Sequence, residues 1–130
     1  MRRTLLLAVL AAALAGCSLL TGLEGCKTYA APSFSVTVKD STTKLPIAFG
    51  AQLLWTGPVS GSQELHWMAP TPPDPSIDSI PIVGPFEQAG KFDLTVRKTG
   101  YRDWKGSVTV KQDGCHVRPV SLTALLQRIV

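Results

Sequence analysis

A chain of 130 residues with 45% hydrophobic and 17% charged side chains has room for one packed domain and not for two. Its net charge of +4 is small and dispersed, which excludes the dense basic surface that nucleic-acid binding needs. The 3 cysteines and 2 histidines do not fall into the ligand spacing of a metal site.

Met1-Arg2-Arg3 is a short positive start, and Leu5 to Leu14 is an unbroken run of Leu, Ala and Val. Small residues, Ala15 and Gly16, close the run, which completes the pattern of a secretory signal peptide. The run is too short to span a bilayer, which takes about 20 residues. Leu14-Ala15-Gly16-Cys17 matches the lipobox of bacterial lipoproteins. That resemblance implies that Cys17 is diacylated on sulfur, becomes the first residue after cleavage, and is often acylated on its amine. Two or more acyl chains anchor stably, where one is marginal. Ser18 rather than Asp after the cysteine resembles the outer-membrane sorting pattern of cells with two membranes. Cleavage also removes Arg2 and Arg3, halving the net charge of +4. An oxidising exported compartment favours pairing the remaining Cys26 and Cys115. Closing so long a loop is worth roughly 4 to 5 kcal/mol in the chain-entropy model.

Residues 18–32 show no sustained period and read as a tether, stapled at Cys26. Phe34, Val36 and Val38 then alternate with polar residues, the period of a strand with one wet face. Asp40-Ser41-Thr42-Thr43-Lys44 is a turn cluster. A second strand is expected over Ile47–Trp55, with Gly50 at a bulge or close approach. Residues 56–76 read as an insertion outside the regular strands, with one short strand possible over Gln63–Met68. The Pro-rich run Pro70–Pro75 excludes helix and central strand. Ile77–Val83, interrupted by Pro81, is at best an edge strand. Lys91–Arg97 is the cleanest strand, with Phe92, Leu94 and Val96 on one face. Trp104–Lys111 is another, Gln112-Asp113-Gly114 a hairpin turn, and His116–Leu125 the last strand, with a bulge at Pro119. Turns recurring between alternating strands predict an all-β fold, an antiparallel β-sandwich.

Asp40-x-x-Thr43-x-x-Pro46-Ile47, Gly90-x-Phe92-x-Leu94-x-Val96-x-x-x-Gly100-Tyr101 and the closing Val108-x-Val110 resemble the carboxypeptidase regulatory-like domain. The resemblance implies a small transthyretin-like sandwich of about seven strands, an accessory module that carries no zinc ligands. Asp113-Gly114-Cys115-His116-Val117 is similar to the end of this domain in small bacterial envelope lipoproteins. There a cysteine before the first strand is matched with the Cys-His-Val cysteine, which corresponds to Cys26 and Cys115. Lys44 stands where the family usually has Gly, and residues 56–76 have no counterpart in it. The organisation expected is a signal peptide over 1–16, a lipidated tether over 17–32, the sandwich over 33–126 and a tail over 127–130.

No catalytic set emerges. Neither His66 nor His116 opens a His-Glu-x-x-His pattern, there is no Gly-x-Ser-x-Gly, and Asp74 and Asp78 read as solvated loop carboxylates. The chain is therefore expected to be no enzyme and to need neither cofactor nor metal. His66-Trp67-Met68 is the best candidate for partner contact, because Trp and Met are efficient interface residues and nearby prolines stiffen the loop. The competing reading is that Trp67 only covers an open sheet edge. The function expected is a membrane-anchored envelope lipoprotein with a non-catalytic binding or scaffolding sandwich. Its partners would be the membrane, through lipid, and an envelope protein or glycan. The alternatives are a purely structural spacer and an enzyme of unrecognised type.

Overall fold

The computed structural model describes Cys26, residues 28–66 and residues 75–130. Over these residues the chain is an all-β sandwich. Strand β1 (Phe34–Asp40) shows the cause. Phe34, Val36 and Val38 are fully buried, while Ser35, Thr37 and Lys39 between them are half exposed. Alternate side chains of a strand point to opposite faces, so this pattern gains most by lying flat over a core. The same alternation forms β5 (Gly90–Arg97), where Phe92, Leu94 and Val96 point inward and Lys91, Asp93 and Arg97 outward. In β6 (Trp104–Val110) the buried pair is Val108 and Val110; in β9 (Val120–Leu126) it is Ala124 and Leu126.

One sheet runs in the order β3 (Gly61–Glu64), β2 (Gln52–Thr56), β5, β6, with every neighbouring pair antiparallel. The facing sheet runs β4 (Ile82–Val83), β1, β9. Phe34 joins the layers, edge-on to Phe92 at 5.2 Å and to Trp55 at 6.0 Å between ring centroids. A small ribbon pairs β7 (Gln112–Asp113) with β8 (His116–Val117) through Gly114, whose φ of +62° favours glycine.

The sandwich is as expected, with differences in detail. Strands β1 and β9 pair in parallel, in unbroken register from Phe34 opposite Val120 to Asp40 opposite Leu126. Alternation reports which face is buried and not which way a strand runs, so an all-antiparallel reading had no means of finding this. Among the described residues nine strands stand against the expected seven or so, because short pairings such as β4, β7 and β8 add to the count. Residues 47–51 are not strand. Pro46 makes a single bridge to Lys39, Ala48 and Ala51 are buried, and the chain turns at Gly50 with φ +72°. Part of the 56–76 segment belongs to the sheet: β3 pairs β2, and Leu65 exchanges backbone hydrogen bonds with Gly50 and Ala51. Its Gly-Ser-Gln-Glu is exposed throughout, so it has no apolar period to read. Pro75–Ser79 forms a 3₁₀ turn that buries Ile77, leaving only Ile82–Val83 as the edge strand. Pro119 separates β8 from β9 rather than bulging one strand. Residues of the 127–130 tail lie along the 100–102 turn, where Gln127 accepts from Arg102 N–H and Ile129 donates to Gly100.

The strands give the domain two distinct ends. Ser33 hydroxyl donates to Gln88 carbonyl, placing the start of β1 beside the start of β5. Tyr101 reaches Asp40, placing the end of β1 beside the end of β5.

Candidate functional site

The tether end is built from residues distant in sequence. Cys26 and Cys115 form a disulfide with Cα atoms 5.4 Å apart, across 89 positions. Tyr29 stacks on His116, rings nearly parallel at 5.3 Å. Glu87, in a left-handed conformation at φ +54°, faces both. Its Oε1 accepts from Ala31 N–H at 2.6 Å and lies 2.7 Å from His116 Nδ1, and its Oε2 accepts from Val117 N–H at 3.2 Å. The Ala31 amide, helped by His116 and Val117, pulls the Glu87 carboxyl below its ordinary value. The tether expected over residues 17–32 is thus bonded to the sandwich from Cys26 onward. His116 has a structural partner here, and nothing local announced Glu87: its bond to Ala31 crosses 56 positions.

At the opposite end Asp40 is 1% exposed and has several donors. Oδ1 accepts from the N–H groups of Thr42 and Thr43, and Oδ2 from Tyr101 hydroxyl and Arg128 Nε. This end also holds Glu64, Arg97, Lys98 and Asp103 around an open polar cavity of about 210 Å³. Arg97 Nε meets Asp103 at 3.0 Å, and Lys98 donates to Phe49 carbonyl. His66, the described member of the predicted contact set, is exposed and follows the sheet at this end. Trp67 and Met68 lie outside the described residues, as do Asp74 and Cys17. Asp78 is not a loose loop carboxylate: its Oδ1 accepts from Phe49 N–H at 2.8 Å.

Along the open side, between edge strands β3 and β4, runs an apolar groove of about 380 Å³. Trp55, Leu65, Ile82 and Phe86 are among the apolar residues of its wall, and Gln63 lines it too. Gly61 sits over the Trp55 indole, where a Cβ would come within 2.7 Å of the ring. Trp55 Nε1 is buried there and has no hydrogen-bond partner among the described residues. Among the described residues no group of His, Cys, Asp and Glu gathers to hold a metal. Chemically, these surfaces offer contact: charged and polar at the far end, apolar along the open side.

Residues 1–18 match the family model of the prokaryotic membrane lipoprotein lipid attachment site, a stretch that includes Leu14-Ala15-Gly16-Cys17. No curated protein matches the chain. The protein is a membrane-anchored lipoprotein, held at the cell envelope by lipid.

Proposed function

We propose that the sandwich is a non-catalytic binding module that meets an envelope protein or glycan through the end farthest from its tether. The observation that supports this is positional. The Cys26–Cys115 staple and His66 lie at opposite ends of the strands. At about 3.3 Å per residue, a strand of the length of β5 separates those ends by about 25 Å. Lipid at Cys17 would hold the staple end nearest the anchor and leave the other end farthest from it. There Glu64, Arg97 and Asp103 surround a polar cavity on a rigid scaffold, the setting in which binding residues concentrate. His66, exposed beside Leu65, extends that surface, and Trp67 and Met68 follow it in the sequence.

Kinship with the carboxypeptidase regulatory-like domain is part of the same reading. It is supported by the meeting of Asp40, Thr43 and Tyr101, residues of the resembling motifs, in one hydrogen-bonded node. Ser18 after the lipid-bearing cysteine points to the outer membrane in a cell that has two.

A photo-crosslinking residue at position 66, compared with one at exposed Ser107 in β6, tests the proposal in intact cells. Discrete adducts at 66 and none at 107 are expected. Absence of adducts at 66 would leave the spacer role.

A further inference from the structure

We infer that the open side of the sandwich is a membrane-docking face, its apolar groove and rim resting on the bilayer surface. The two sides of the sandwich are not alike. Each side ends in two facing edge strands, β6 with β9 and β3 with β4, and the apolar groove lies on the β3–β4 side. Large apolar side chains on that rim remain in water: Ile80 is 47% exposed, Val83 38% and Phe86 52%. Among the described residues no charged one lines the groove. Three large apolar side chains exposed around one groove offer a surface that gains from leaving water.

The tether identifies the occupant. Pro32 bridges Phe86, so the chain arriving from the lipid anchor enters the domain at the mouth of the groove. From Cys17 to Cys26 the chain spans at most about 30 Å when extended. The staple at Cys26, and the domain bonded to it, is therefore held within that distance of the lipid anchor. Tethering makes a second contact effectively intramolecular, at millimolar effective concentration for short flexible links, so even a weak apolar contact is occupied. An added peptide strand fits the same face less well. Pro81, which immediately precedes β4, has no N–H to offer an incoming strand, and the Trp55 indole N–H is covered by Gly61. Acyl chains and the glycerol level of a bilayer need no such donors.

The test uses the lipidated full-length protein in vesicles of phosphatidylethanolamine and phosphatidylglycerol, with an environment-sensitive fluorophore on Val83→Cys or Ser107→Cys. Lipids brominated on their acyl chains should quench the label at 83 several-fold more than at 107. Adding Ile80→Ser and Phe86→Ser should remove most of that difference while lipidation is unchanged. If the double change fails to fold, Ile80→Ser alone, at a half-exposed loop position, provides the comparison. Equal quenching at 83 and 107 would overturn the inference. So would a difference indifferent to the serine changes, which proximity alone would produce, or photo-adducts at 83 to an envelope protein instead of lipid.

Discussion

Tyr101 donates its hydroxyl to Oδ2 of Asp40 at 3.1 Å, linking the turn after β5 to the end of β1 across 61 positions. The same oxygen accepts from Arg128 Nε at 2.7 Å, while Oδ1 accepts from the Thr42 and Thr43 amides. A buried carboxylate is tolerated when its lone pairs are filled in this way. The node holds the Asp40 turn, the Gly100-Tyr101 turn and the C-terminal residues as one unit.

The Thr43 amide first, then Arg128 and the remaining donors, hold the Asp40 carboxyl well below the usual carboxylate range against the opposing effect of burial. A group whose pKa is lowered by folding stabilises the charged, folded state. That contribution is complete above about pH 5 and is lost as pH falls through the ordinary carboxylate range toward the folded value. Asp40→Asn should therefore melt lower than the parent at neutral pH. It should also show a flatter loss of stability in acid. Thermal melts across a pH series would read both, and parallel curves would count against the node.

Breaking the staple should weaken the domain without rearranging its core. Cys26→Ser with Cys115→Ser is expected to cost about 2 to 5 kcal/mol by denaturant titration. The loss should be accompanied by faster hydrogen exchange at the Ala31 amide, which Glu87 now holds. A loss below about 0.5 kcal/mol would show that the Glu87 contacts alone secure the tether.

Leu94 is 2% exposed in the middle of β5. Leu94→Ala should cost about 2 to 5 kcal/mol, a transfer term plus the cavity left behind. Thr95→Ala, half-buried on the other face of the same strand, should cost far less. Chemical denaturation of the pair checks the register of the strand directly.

Lys44 occupies the left-handed region at φ +60° while donating its amide to Asp40 carbonyl. Such a conformation costs a residue with a Cβ roughly 1 to 2 kcal/mol, and glycine much less. Lys44→Gly should raise stability by a few tenths to about 1 kcal/mol, after the greater freedom glycine gives the unfolded chain is subtracted. A lower melting temperature would show that the lysine side chain has a role of its own.

Where a strand is half wet, its residues announce it. Phe92, Leu94 and Val96, or Phe34, Val36 and Val38, alternate because water lies on one side only. β3 is wet on both faces and carries no period, so it reads as loop. The Ile47–Trp55 run looked like strand from its apolar content, although its first part is a buried turn around Gly50. The cysteines were legible because export and pairing are properties of composition. Glu87 and Arg128 were not, since each acts on a residue brought near by folding alone, Ala31 across 56 positions and Asp40 across 88. The apolar groove was illegible for a related reason: Trp55 and Phe86 line one cavity only because β2 and β4 end up on the same open side.

The parallel pairing of β1 with β9 has a consequence for how the protein comes into being. β1 is among the first parts of the domain to be synthesised, and Leu126, at the end of its partner strand, among the last. One edge of β1 stays unfilled until nearly the whole domain has left the ribosome, and closing so large a loop carries a heavy entropic toll. High contact order of this kind slows folding. A chain that must cross a membrane before it folds gains from that delay, because it remains threadable for as long as its last strand is missing.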